Sequence, residues 1–113
     1  NINPAKPYRT IAHIKEVTRL ITENVPLNNT FNIAAFSNEP WYTAEEYRYF
    51  TYYFGNRSLG SDEYNKAQKL YIISSKDLED PLSIKSKETS DFQPKIIEKS
   101  WIIGESKISQ LGK

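Results

Sequence analysis

Apolar and polar positions alternate along this chain with two different periods, and the switches between them mark the elements. Ile11, Ile14, Val17, Thr18 and Ile21 recur at spacings of three and four, with Leu20 beside them. Lys15, Glu16, Arg19 and Glu23 fall on the opposite side. That period predicts an amphipathic helix. It should end near Asn24, because Pro26 disfavours helical geometry at Val25. PLNNT then reads as a turn. FNIAAF, residues 31–36, is apolar and uncharged between turn residues. Its length suits a strand, and burial on both faces suits a central, parallel one.

A second helix is expected to open at Thr43-Ala44-Glu45-Glu46, a capping-box sequence in which Thr43 and Glu46 satisfy each other's backbone. Tyr42 and Tyr47 would staple its start, and the two glutamates suit the positive end of the helix dipole. Gly55 ends it. Tyr47, Phe50 and Phe54 share one face with Thr51 between them. Phe50 and Phe54 are expected inside, with Tyr49, Tyr52 and Tyr53 on the flanks keeping their hydroxyls wet. Aromatic rings at helical spacing are more often core than ligand platform.

Residues 56–68 hold two turn signals and room for a short helical turn over Asp62 to Lys66. LYIISS, residues 70–75, is the second buried strand. Residues 76–95 are polar, contain Pro81 and Pro94, and show no period. Such a length is either an excursion or a hidden element. Ile96 to Ile103 and Ser106 to Leu111 predict a hairpin turning at Gly104-Glu105, with Trp101 and Ile103 on one face and Ile102 on the other. Residues 1–9, with two prolines, read as a linker or tail. Residues 10–113 then form one α/β domain: a small sandwich with a mixed, partly parallel sheet, one strand–helix–strand crossover and a C-terminal hairpin supplying antiparallel edges.

Composition narrows the chemistry. The chain has 113 residues, 15 basic and 14 acidic, with the signs interspersed. No basic run points to nucleic acid or to an anionic membrane. With no cysteine, disulfides and thiolate metal sites are excluded. One histidine, His13, makes an ordinary zinc site unexpected. It has no evident triad partner in the sequence and reads as a rim or surface residue. No apolar run approaches membrane-spanning length. Methionine is absent even at position 1, as expected of a piece excised from a longer chain. Fifteen aromatic residues enlarge the core, and eight of them crowd into residues 38–54.

The best pocket candidate is the SNEPWY loop, because it leaves the carboxyl end of a buried strand and enters a helix N-terminus. Ser37, Asn38, Glu39, Trp41 and Tyr42 could contact a sugar there, the indole stacking on its ring. The competing reading is a capped loop in which Trp41 shields the sheet edge. There is no glycine-rich phosphate loop and no cofactor motif. Glu39, Glu45 and Glu46 resemble paired acid–base carboxylates, but glutamates in a first helical turn have a routine electrostatic explanation. Arg48 could pair with Glu45 or Tyr52. Asn28-Asn29-Thr30 and Asn56-Arg57-Ser58 match the glycosylation acceptor pattern, relevant only to a secreted eukaryotic chain.

The run FNIAAFSNEPWYTAEEYRYFTYYFG resembles a segment in the C-terminal soluble domains of bacterial membrane glycosyltransferases. The type is that of the dolichyl-phosphate-mannose–protein mannosyltransferases, which includes the aminoarabinose transferases of lipid A. That segment runs from an apolar strand through a serine-led polar loop to a helix with a Tyr-Arg-Tyr-Phe run, here Tyr47-Arg48-Tyr49-Phe50. The resemblance continues through LYIISS and EKSWIIGESKISQLGK, covering roughly residues 10–113. It implies a polytopic parent enzyme that moves a sugar from a polyprenyl-phosphate donor. The family's catalytic acids lie in the membrane-proximal N-terminal part, so none maps onto this sequence. The expectation is a non-catalytic extracytoplasmic accessory domain at the cell membrane. Its partners would be the membrane-embedded part of the same chain and a glycan or polyprenyl-phosphate sugar, with no nucleic acid and no cofactor. The alternatives are a stand-alone cell-surface ligand-binding or protein-interaction domain, and a small enzyme using the SNEPWY crevice.

Overall fold

A computed structural model describes residues 11–36, 44–78 and 80–113. The elements run α1 (Ile11–Asn24), β1 (Phe31–Ala35), α2 (Ala44–Tyr53), a 3-10 turn (Tyr64–Lys66), β2 (Lys69–Ser75), a second 3-10 turn (Pro81–Ser83), α3 (Lys87–Phe92), β3 (Ile96–Ile103) and β4 (Ser106–Gly112). The four strands form one sheet in the order β1-β2-β4-β3. β1 and β2 run parallel, with Ile33 opposite Tyr71, and the other two pairings are antiparallel. The fold is therefore α/β with a mixed sheet, the β1–α2–β2 crossover and a C-terminal hairpin.

Each face of the sheet carries its own core. On one, Ile14, Val17 and Ile21 of α1 and Tyr47 of α2 pack on Phe31, Ile33, Tyr71, Ile73 and Ile108. On the other, Tyr64, Ala67 and Phe92 cover Ala34, Leu70, Ile72 and Leu111. The result is three layers. The alternation along β1 and β2 follows from the period-two geometry of a strand, and coverage on both sides explains why these strands read as continuous apolar runs. β3 would break this alternation, but its register shifts between Ile97 and Lys99. The bulge lets Ile97 pack on the α3 side while Trp101 and Ile103 pack on the helix-pair side.

Two expectations need correction. FNIAAF is parallel and buried, yet β1 lies at the sheet edge. Its burial comes from side chains and a loop that cover that edge, described below. The hairpin supplies only one edge, β3, because β4 is interior. Of the two readings of residues 76–95, the hidden element is the one found. Asp80 caps the Pro81–Ser83 turn, its Oδ1 accepting from the Leu82 N–H at 3.0 Å. Ser86 and Thr89 close a capping box over α3, and Gln93 ends that helix in the left-handed region at φ 59°. A six-residue helix with two buried positions, Thr89 and Phe92, is too short to show a period in sequence.

Phe50 packs against the core only partly buried, and Phe54 is half-buried. The fully buried positions of α2 are Tyr47 and Thr51. The expected Thr43 cap and Tyr42 staple lie outside the described residues. Gly104, at φ 59°, makes the hairpin turn where sequence places it.

A polar chain crosses the sheet beside the bulge. Tyr71 Oη donates to Gln110 Oε1 at 2.8 Å, and Gln110 Nε2 donates to Glu98 Oε1 at 2.8 Å. Lys69 Nζ donates to Glu98 Oε2 at 2.7 Å. Burial and the Glu98 charge push the Tyr71 phenol well above its ordinary value. For Glu98, desolvation acts upward, but the bonds from Gln110 and Lys69 and the charges of Lys69 and Lys99 outweigh it. They hold the carboxyl below its ordinary value of 4.5. A depressed folded value stabilises the fold above the unfolded value, and that stability is lost as pH falls through the folded one. Urea denaturation of wild type and Glu98→Gln should therefore differ more at pH 7 than at pH 3. A gap that stays constant between those pH values would contradict the assignment.

Candidate functional site

The segment after α2 doubles back along the outer edge of β1, and this decides the site. The Leu59 N–H donates to Phe31 C=O at 2.9 Å. Asn32 Nδ2 donates to Gly60 C=O at 2.7 Å, while Asn32 Oδ1 accepts from the Ile33 N–H at 2.8 Å. Tyr64 Oη donates to Ile33 C=O at 2.7 Å. The edge groups of Phe31 and Ile33 are thus occupied without a fifth strand, which removes a template for aggregation.

Arg48 completes this cover. Its side chain is only 10% exposed. Nε donates to Asn32 Oδ1 at 3.2 Å, and Nη2 donates to Ile33 C=O at 3.2 Å and to Tyr64 Oη at 2.5 Å. Nη1 pairs with Glu45 Oε2 at 3.2 Å. Of the two partners expected from its own helix, Glu45 is one; the rest come from β1 and the first 3-10 turn. Burial pushes the Tyr64 phenol above its ordinary value although Arg48 draws it down. The planar guanidinium suits this task because it donates in several fixed directions at once.

Arg48, the rest of α2 and the returning segment line an open groove of about 570 Å³. Tyr49 and Tyr52 form one wall; Arg57, Ser58 and Gly60 form the other, with Glu45 and Glu63 at the ends. The volume lies in the range of small-molecule sites, roughly 300–1,000 Å³. Tyr49 and Tyr52 are each 63% exposed. Arg57 sits over the Tyr52 ring with Cζ 5.4 Å from its centroid. The charges lining the groove are two arginines and two glutamates, so its lining is neutral overall. Exposed phenol faces beside interleaved donors and acceptors suit a polyol better than a compact anion.

Ser37, Asn38, Glu39, Trp41 and Tyr42 lie outside the described residues. Glu45 and Glu46 occupy the first turn of α2, as the dipole argument requires. His13 is half-buried, its Nε2 lying 3.0 Å from Ser106 Oγ. Ser106 is fully buried, so this pair ties α1 to the hairpin and offers no nucleophile to a substrate. Among the described residues no group of His, Asp and Glu could hold a metal ion, and no helix is long and apolar enough to cross a membrane.

Sequence reasoning missed Asn32, Tyr64 and the groove. One signal was present: Asn32 is a lone amide in an otherwise apolar strand, and a buried amide must find partners. What those partners are depends on a loop whose path no local pattern fixes. No family model, no curated protein and no solved structure matches this chain.

Proposed function

We propose that the chain is a non-catalytic, extracytoplasmic accessory domain of a membrane glycosyltransferase that uses a polyprenyl-phosphate sugar donor. Its task is to hold a glycan acceptor or the sugar head group of the donor. The observation that carries this reading is the groove beside α2, with Tyr49 and Tyr52 presented and Arg48 anchored behind them. The Tyr47-Arg48-Tyr49-Phe50 run supports it by dividing its labour. Tyr47 is core and Arg48 seals the strand edge, while Tyr49 faces outward. Tyrosine rings stack on the apolar face of a sugar, and the polar lining can bond its hydroxyls.

The test is an NMR titration with neutral oligosaccharides and with a water-soluble short-chain polyprenyl-phosphate sugar. Signals of Tyr49, Tyr52, Arg57 and Ser58 should move, together with those of Trp41 and Tyr42 if the neighbouring loop takes part. Tyr52→Ala should weaken binding about tenfold, the worth of one stacked ring. Spectra unmoved by every sugar would end the reading. The second reading, a stand-alone cell-surface interaction domain, draws on the exposure of Tyr53 at 61% on the other flank of α2. Apolar spans of about 20 residues upstream in the gene would separate the two.

A further inference from the structure

The side of α2 that meets α1 carries a different chemistry, and Tyr49 belongs both to it and to the groove. Tyr49, Phe50, Tyr53 and Phe54 form a chain of edge-to-face rings with centroids 5.0, 6.2 and 5.2 Å apart. α1 lies alongside and sets cations on these rings. Lys15 Nζ is 5.8 Å from the Phe50 centroid and 5.5 Å from that of Tyr53, and Arg19 Cζ is 5.3 Å from that of Phe54. Arg57 over Tyr52 extends the series past the end of α2. Among the described residues Lys66, Lys69, Lys76, Lys87 and Arg48 each pair with a carboxylate. Lys15, Arg19 and Arg57 belong to none of those ion pairs, although Glu16 and Glu23 stand exposed on the same helix as Lys15 and Arg19.

A ring face attracts a cation without neutralising it. The three positive charges therefore remain available to an incoming carboxylate. Stacking also fixes where they stand, so less side-chain freedom is left to lose on binding. Exposed tyrosine and arginine are the residue types that dominate the energetics of protein contacts. We infer that the α1–α2 face is a docking surface for an acidic, partly apolar segment of a partner protein. Its carboxylates would meet Lys15, Arg19 and Arg57, and its apolar side chains would lie on Tyr49 and Tyr53. An anionic bilayer fits less well. A fluid headgroup layer needs no fixed spacing of cations. The rings most exposed here all carry hydroxyls, while Phe50 and Phe54 are partly covered. This inference does not rest on sugar binding; the two surfaces share Tyr49 and Arg57, while Lys15, Arg19 and Tyr53, which carry the test, lie outside the groove lining.

The experiment is to pan a random peptide library displayed on phage against the intact chain. Enriched peptides should carry net negative charge. A synthetic copy of the tightest should lose at least tenfold in affinity for Lys15→Gln/Arg19→Gln and for Tyr53→Ser. All three positions lie at the surface, and circular dichroism will confirm that the variants fold. Binding should weaken as salt rises. No enrichment, enrichment of neutral or basic peptides, or affinity indifferent to these variants would overturn the inference. So would vesicles of phosphatidylglycerol binding through the same residues when no peptide does, which would name the bilayer as occupant.

Discussion

Phe92→Ala will remove about 3–5 kcal/mol of stability, the range for deleting a fully buried large aromatic side chain. Phe92 is completely buried among Ala34, Leu70, Ile72 and Leu111, and Lys113 Nζ lies 5.0 Å from its ring centroid. The loss is local as well as global. α3 has six residues, far below the length at which a helix holds itself together in water. Its buried residues are Thr89 and Phe92, and Thr89 serves the cap through its bonds to Ser86. Without the ring, α3 has little to press it onto the sheet. Urea denaturation should show the drop in stability. Hydrogen exchange should show the amides of Ser90 to Gln93 losing protection before those of β2. A variant that loses less than about 1 kcal/mol would show that the second layer is held by something other than this side chain.

Arg48→Ala will cost about 2–4 kcal/mol through lost charge-assisted hydrogen bonds and lost packing of the side-chain stem. The number is bounded by what stays satisfied. Ile33 C=O keeps its bond from Tyr64, and Asn32 Oδ1 keeps the Ile33 N–H. The Glu45 side chain is already 69% exposed. The penalty is therefore the loss of favourable contacts, without a buried charge left behind. Arg48→Lys should recover less than half of the loss, because a single ammonium cannot reach Asn32, Ile33 and Tyr64 together. Full recovery by lysine would mean that charge alone matters at this position. Both variants should also blunt any sugar binding, since Arg48 lines the same groove as Tyr49 and Tyr52.

The Arg48 case shows how position overrides a local motif. Read in sequence, Tyr47-Arg48-Tyr49 looks like one unit. In the fold its three side chains serve a core, a strand edge and a surface, because neighbours on a helix point about 100° apart. The same reasoning applies to the two flanks of α2. One lines a neutral groove and the other meets Lys15 and Arg19 of α1, with Tyr49 shared between them, and both arise from one aromatic run.

The apolar periods alone determined α1, α2, β1, β2 and the hairpin, since burial on one helix stripe or two strand faces leaves a repeat that solvent enforces residue by residue. They also determined the parallel pairing of β1 with β2, because a helix between two buried strands leaves few other routes. Only the tertiary structure decided that β1 stands at the edge, that α3 exists, and that Asn32, Arg48, Tyr64 and Gly60 meet. Those outcomes rest on contacts between residues far apart in the chain. Sequence periodicity records whether a side chain is buried; it does not record against what.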